Sequence, residues 1–407
     1  MDLTIAFTDA AFEAALPVIE PVSRVLAGIG VTAEFILTAP QPEQHATSSA
    51  GYGLRVAAAG DGSYGAQLRK AVEAARGDWL ITLDAPRPDD AALVFGFWHR
   101  RHEADLLVAS RYTQGGSYRM PWLRRFLSRN LNRLYRIGLS VPVQDLSSAR
   151  RMYRTSLLRK VIITGSDFDA LMEVLIRLMS RGASVAEVPW DYESREHRQK
   201  PGTMFRLMSS SLATFRKLHA LRNSVDFPDY DYRAYDSRIW FQRYWQRKRF
   251  SIIRRFEGED PGLALDAGCG SSRIITTRPN MIAMDINLNR LRFLRKVTPR
   301  RLQATAGELP FPDNTFDTVI SSQVIEHTPE RTCINECARV LRPGGNLVIG
   351  TPDYGRIWWP VTEKIYGWVK RGGYAEEHIT HYTYPMLAAE ITEAGCEVQE
   401  HAYICGG

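Results

Sequence analysis

At 407 residues the chain is long enough for two or three domains. Its 44% hydrophobic content supports packed cores and excludes an intrinsically disordered chain. The net charge of +7 lies wholly in residues 1–225, which hold 29 Lys and Arg against 22 Asp and Glu; residues 226–407 hold 23 of each. No apolar run approaches the roughly 20 residues that a membrane span needs. The five cysteines (Cys269, Cys333, Cys337, Cys396 and Cys405) are odd in number and form no Cys-x-x-Cys pair. That usage fits a reducing compartment better than a disulfide scaffold. The first residues carry Asp2 and Asp9 and no basic region, so no secretory leader is expected.

The first half alternates short apolar runs with helical spacing. Leu3–Phe7 reads as a strand, Phe12–Leu26 as a helix and Glu34–Leu37 as a second strand. Ala66–Ala75 reads as a helix, Trp79–Leu83 as a strand ending at Asp84, and Leu106–Ala109 as another strand. Such alternation predicts an α/β sheet domain.

Five segments follow in order: Gly62-Ser-Tyr-Gly-Ala-Gln-Leu-Arg-Lys-Ala71, Ala75-Arg-Gly-Asp-Trp-Leu-Ile-Thr-Leu-Asp84, Ala109-Ser-Arg-Tyr112, Asp145-Leu-Ser-Ser-Ala-Arg-Arg-Met-Tyr-Arg154 and Glu187-Val-Pro189. On these motifs, residues 1–220 resemble family 2 glycosyltransferases, nearest the polyprenol-phosphate mannose synthase branch. The resemblance implies a GT-A-like domain. It places Asp61, Asp84 and Arg111 at a nucleotide sugar, if that activity persists, and Asp145 on the acceptor side. The chain departs from the family twice. Leu37-Thr-Ala-Pro40 stands where the family grips the base with an acidic pair, and Asp84-Ala-Pro86 stands where it holds a metal with Asp-x-Asp. Each missing carboxylate removes a hard oxygen ligand for Mg²⁺ or Mn²⁺. A divalent metal in the first domain is therefore doubtful, and a leaving diphosphate would need Arg or Lys instead.

Residues 117–160 hold 11 basic residues and one acidic residue, Asp145. Within 117–139, Trp122, Leu123, Phe126, Leu127, Leu131, Leu134 and Tyr135 recur at spacings of three and four, with arginines between. This is a basic amphipathic helix, suited to an anionic membrane surface. The alternative is a helix that buries its apolar face on the domain. Met204–Leu221 is a weaker amphipathic segment. No nucleic-acid motif accompanies the basic stretch, so no nucleic-acid partner is expected.

Asp226-Phe-Pro-Asp-Tyr-Asp-Tyr-Arg233 is polar, aromatic and Pro-containing, and marks a boundary between domains 1–225 and 226–407. Residues 237–256 read as a helix rich in aromatics and arginines. Leu263–Leu265, Met281–Met284, Thr318–Ile320 and Leu347–Ile349 read as strands of a second, Rossmann-like parallel sheet. In such sheets ligands bind beyond the carboxyl ends of the strands.

The second sheet carries Leu263-Ala-Leu-Asp-Ala-Gly-Cys-Gly270, then Asp285, Leu309-Pro-Phe-Pro-Asp-Asn-Thr-Phe-Asp317, Glu326-His327 and Arg339-Val-Leu-Arg-Pro-Gly-Gly-Asn-Leu-Val-Ile-Gly350. On these motifs residues 232–407 resemble the class I S-adenosylmethionine (SAM)-dependent methyltransferases. The resemblance implies SAM as cofactor. It carries Asp266, Gly268 and Gly270 to the amino acid portion, Asp285 to the ribose, Glu308 and Leu309 to the adenine, and adds Cys269, Ile286 and Gln323 to the cofactor-binding residues. Ser272 stands where a third glycine is common, and Thr305 where an Asp is common. His327 is read as shaping the cofactor pocket, and no residue set is read as a metal site.

A general base is needed only for a hydroxyl or protonated amine acceptor. Glu376, Glu377, His378 and His381, within Ala375-Glu-Glu-His-Ile-Thr-His381, are the candidates. The chain is thus expected to be an α/β, two-domain SAM-dependent methyltransferase fused to a glycosyltransferase-like domain. The expected acceptor is a sugar, glycolipid or lipid-linked intermediate, and the expected location is cytoplasmic, peripheral at the membrane face. Two alternatives stay open: a bifunctional enzyme that also transfers sugar to a polyprenyl phosphate, and a first domain that only docks or scaffolds.

Overall fold

The computed structural model describes residues 1–8, 12–39, 54–59, 62–119, 122–167, 169–193, 203–278, 280–329, 331–356 and 378–404. The chain divides into two compact units, Met1–Asn223 and Ser224–Gly407.

In the first unit, strands β1 (Leu3–Thr8), β2 (Ala33–Ala39), β3 (Leu54–Ala58), β4 (Trp79–Asp84) and β5 (Leu106–Ser110) are short apolar runs. Ser117–Arg119 is β6, Arg151–Arg154 β7, Val185–Pro189 β8 and Asp191–Glu193 β9. The main sheet runs β3-β2-β1-β4-β7-β5-β8, and β6 pairs with β9 alone. Only β7 lies antiparallel, against both β4 and β5. One face of the sheet is covered by α1 (Phe12–Gly28) and α3 (Asp90–Arg100), with α2 (Tyr64–Ala74) between them in the chain. Val18, Val22, Leu26, Val94 and Phe97 of these helices pack on Ile5, Phe7, Ile81 and Leu83. Ser63 caps α2 by accepting from Ala66 N.

Three strands of the main sheet, and the short pair β6 and β9, are absent from the sequence reading. β3 is short and alanine-rich, and β8 ends in a proline. β7 begins and ends with arginine, which hides its strand character. Arg151 is nonetheless buried, because its guanidinium donates to the carbonyls of Leu146, Ser148 and Leu171. The amphipathic helix α4 begins at Trp122, not 117, and ends at Leu139, because Ser117–Arg119 is spent on β6.

Helix α4 packs through Asn132, Tyr135 and Leu139, which are buried at helical spacing. Tyr135 meets Phe215 of α6 (Thr203–Arg222), which follows α5 (Asp169–Met179) in the chain, at a ring distance of 5.2 Å. Trp122 and Phe126 are 77% and 60% exposed, and Leu131 and Leu134 are exposed as well. The side chains of Leu123, Arg124 and Leu127 lie outside the described residues.

The second unit holds β10 (Ala264–Ala267), β11 (Ile282–Asp285), β12 (Arg301–Gln303), β13 (Phe316–Ser322) and β14 (Leu341–Gly350). The order is β12-β11-β10-β13-β14, with every pair parallel. Its helices are α7 (Tyr230–Ala234), α8 (Trp240–Glu257), α9 (Arg273–Thr277), α10 (Leu288–Phe293), α11 (Thr332–Val340) and α12 (Tyr384–Glu393). Side chains alternate across the sheet as the pleat demands. Leu265, Ala267, Met284 and Val319 pack with Ile334 and Cys337 of α11 on one side. Ala264, Ala283, Ile320 and Val348 pack with Ile253 of α8 and Leu291 of α10 on the other. The chain leaves β10 toward β11 on one side and returns to β13 on the other. That switch opens a crevice at the carboxyl ends of β10, β11 and β13.

Candidate functional site

Asp266, the penultimate residue of β10, and Asp285, the last of β11, are both buried. Between them runs a tight turn. Gly268 (φ +85°) and Cys269 donate their N–H groups to Met284 O at 2.8 and 2.9 Å. Gly270 (φ +55°) donates to Asp285 Oδ2 at 2.8 Å, and Asn287 N–H donates to Asp285 Oδ1 at 2.7 Å. A Cβ on Gly268 would stand 2.3 Å from Val324 Cγ2, and one on Gly270 would stand 2.8 Å from Asp231 Oδ2. Gly268 therefore requires glycine for space as well as backbone angle, and Gly270 for backbone angle, its close contact being only the movable end of Asp231. Ser272, in place of a third glycine, accepts from Ile274 N and caps α9.

The pocket is acidic. Asp266 Oδ2 is buried without a hydrogen-bond partner among the described residues. Burial pushes its carboxyl up to about 7; Arg249 opposes the rise, while Asp285, Glu257 and Asp231 add to it. Arg249 of α8 is held by Ser322, with Nε on its Oγ and Nη2 on its carbonyl, both at 2.9 Å. A buried, unpartnered carboxylate beside a narrow glycine turn fits a cationic, nucleoside-bearing cofactor such as SAM.

The other expected cofactor residues separate into two groups. Ile286 is 71% exposed beside Asp285, an apolar side chain open to a ligand. Gln323 has φ +62° and donates N–H to Gly350 O, which fixes the turn after β13. Leu309 is a buried core residue whose N–H donates to Glu336 Oε2, and Glu308 is exposed. Burial raises the Cys269 thiol well above its ordinary value, so it is inert wall rather than nucleophile.

Glu376 and Glu377 lie outside the described residues. His378 Nδ1 sits 2.5 Å from Tyr354 Oη, and His381 lies against the Tyr354 ring at 4.2 Å. Burial, with His327 and His381 nearby, pushes His378 down to about 4. That leaves it neutral and a weak base near pH 7.

In the first unit Asp61 lies outside the described residues. Asp84 ends β4, and its Oδ1 accepts from Arg150 Nη1 at 2.7 Å. The same guanidinium reaches Asp90 at 3.1 Å and Ala85 O at 3.1 Å, and covers the Trp190 ring at 4.4 Å. The one carboxylate left from an Asp-x-Asp is thus tied to arginine. Asp145 is fully buried, and Arg111 grips both its oxygens, Nε at 2.7 Å and Nη2 at 2.8 Å. Arg111 N–H and Ser147 Oγ donate to it as well. Asp145, which the family resemblance places on the acceptor side, thus has four donors on its two oxygens. Arg150, Arg249, Asp231 and Glu326 are the residues that sequence reasoning did not assign to a site. Each meets its partner only through the fold.

A glycine turn flanked by two acidic strand ends at a sheet's switch point defines the nucleotide-cofactor class of α/β domains. Residues 265–349 match the family model described as a methyltransferase domain. A probable S-adenosylmethionine-dependent methyltransferase of Mycobacterium tuberculosis is 35% identical over 136 residues, which is 31% of this chain and 46% of that protein. The polyprenol monophosphomannose synthase of Mycolicibacterium smegmatis is 35% identical over 97 residues, 23% of this chain and 37% of that protein. A solved glucosyl-3-phosphoglycerate synthase of Mycobacterium tuberculosis is 19% identical, with a TM-score of 0.41, over 53% of this chain and 79% of that one. The chain spans less than half the length of these two curated relatives. It carries a methyltransferase domain together with a glycosyltransferase-like region.

Proposed function

We propose that the chain is a SAM-dependent methyltransferase acting on a sugar, glycolipid or polyprenol-linked intermediate at an anionic membrane surface. The observation that carries the first part is the Asp266–Asp285 cradle with its unpartnered buried carboxylate oxygen. Bound there, SAM supplies an electrophilic methyl group. Asp285 would hold the ribose hydroxyls, Asp266 and Asp231 the cationic end, and Ile286 the apolar side. Orientation of this kind contributes up to about 7–11 kcal/mol of a barrier. For a hydroxyl acceptor, His381 on the Tyr354 ring is the described candidate to take the proton.

The link to lipid-linked sugars rests on the resemblance of residues 1–220 and on the name of the mannose synthase relative. In the first unit Arg150 stands against Asp84 where a metal would sit, so any residual sugar-nucleotide binding would use arginine in place of a divalent ion. Methyl-labelled SAM, incubated with the protein and a membrane lipid extract, should pass label into the organic phase as a glycolipid. Label confined to water-soluble products would overturn the lipid-linked acceptor.

SAM affinity should depend on pH. With a carboxyl titrating near 7, lowering the pH below 7 protonates Asp266 and removes the charge that attracts the cofactor. Affinity should fall by up to about tenfold per pH unit there. The sign for stability without cofactor is opposite. A carboxyl raised in the folded state favours folding at low pH, and that contribution is lost as pH rises from about 4 to 7. Calorimetric titrations at pH 6, 7 and 8 check the first; a pH-independent affinity would exclude Asp266 as the cation's partner.

No helix among the described residues is long and apolar enough to cross a membrane. Exposed Trp122 and Phe126 beside exposed Arg125 and Arg129 instead favour an interfacial helix. Each arginine contributes about 1 kcal/mol near an anionic surface. Replacing Arg125 and Arg129 with Ser should therefore cut co-sedimentation with phosphatidylglycerol vesicles at low salt by at least about tenfold. Wild-type protein that ignores such vesicles would leave α4 without a membrane role.

A further inference from the structure

Glu326, His327 and His378 converge in the second unit from stretches about 50 residues apart. One ligand atom of each, a carboxylate oxygen and two imidazole nitrogens, lies within 4.8 Å of the others. Backbone pairing builds this meeting. Ile379 and Thr380 donate their N–H groups to Glu326 O at 2.8 and 3.1 Å, and Thr380 Oγ1 donates to Thr328 O at 3.0 Å. The segment bearing His378 is thereby clamped across residues 326–328.

A second observation points to a ligand. Glu326 is 1% exposed, and its Oε2 accepts from Thr351 Oγ1 at 3.0 Å. Its Oε1 has no hydrogen-bond partner among the described residues. A buried carboxylate oxygen left without a donor is costly, and a bound cation satisfies it directly. Tyr354 Oη lies 2.5 Å from His378 Nδ1. With the proton on Nδ1 and shared with that oxygen, Nε2 keeps a lone pair. An outer partner of this kind fixes the tautomer and ring orientation of a metal-ligating histidine.

We propose that Glu326, His327 and His378 bind one divalent transition-metal cation of the zinc and cobalt class. Two imidazole nitrogens and one carboxylate oxygen suit such ions better than Mg²⁺ or Ca²⁺, which prefer all-oxygen shells. Metal bonds of about 2.0–2.2 Å put tetrahedral ligand atoms roughly 3.4 Å apart, so from separations within 4.8 Å the three side chains need close by at most about 1.4 Å. Three protein ligands leave the ion a position open to water or a substrate oxygen. The inference does not rest on methyl transfer, because metal binding is read directly.

The test uses the full chain, stripped with chelator and titrated with Co²⁺ while visible absorption is followed. One Co²⁺ per chain is expected, displaced by one Zn²⁺. Glu326→Gln, His327→Ala and His378→Ala should each weaken binding by at least about tenfold. His99→Ala, in the first unit, should leave it unchanged. Zn²⁺ should raise the melting temperature of the wild type and not that of the variants. Should one variant fail to fold, the other two and the wild-type titration decide. No Co²⁺ uptake by the wild type, or equal uptake by a folded variant lacking both histidines, overturns the proposal.

Discussion

Arg111→Ala is expected to cost the first unit about 3–5 kcal/mol, the scale for removing one partner of a buried ion pair. Asp145 is fully buried, and its two oxygens are held by the Arg111 fork at 2.7 and 2.8 Å. Arg111 Nη2 also donates to Ser147 Oγ at 2.6 Å, so the guanidinium ties the 145–147 turn to the end of β5. Without it a carboxylate stays buried with only Ser147 Oγ and one backbone N–H. Arg111→Lys should recover part of the loss, since it restores charge without the fork. Replacing Asp145 with Asn in the Arg111→Ala background should recover more, because no buried charge then remains. Denaturant unfolding followed by tryptophan fluorescence reads the difference. A loss below about 1 kcal/mol would mean that the pair behaves as a surface bridge.

Asp285→Ala should weaken SAM binding about ten- to hundredfold, which corresponds to the 1.5–3 kcal/mol typical of hydrogen bonds to a charged group. Two contributions are lost together. The carboxylate no longer meets ribose hydroxyls, and Gly270 N–H and Asn287 N–H lose their acceptor. Asp285→Asn keeps one carbonyl oxygen and should fall between. Calorimetry separates the two contributions if adenosine is titrated beside SAM: the ribose contribution affects both ligands, while a loosened glycine turn weakens SAM more. Wild-type affinity in Asp285→Ala would remove the ribose assignment.

Much of the second unit was legible because its signals are local. The Asp266-Ala-Gly-Cys-Gly270 turn, the strand that leads into it from Ala264 and Asp285 all lie within 22 residues of chain, and each has its own sequence signature. The first unit's central strands were legible for the same reason. β7 was not, because a strand flanked by arginines shows no apolar alternation, and the burial of Arg151 depends on the carbonyls of Leu146, Ser148 and Leu171. Arg150 escaped notice likewise: Asp84, its partner, is 66 residues away. The expectation for Asp145 came from a motif position, whereas its environment depends on Arg111, 34 residues earlier. Glu326, His327 and His378 were each visible as residues, but their meeting depends on backbone bonds between segments that no period in the sequence links.

The most direct test of the account is equilibrium titration of the full chain with SAM, by calorimetry at pH 8. The account predicts one saturable site per chain, competition by S-adenosylhomocysteine, and reduced affinity in the folded Asp285→Ala variant. Absence of binding up to millimolar SAM in the folded wild type would contradict it.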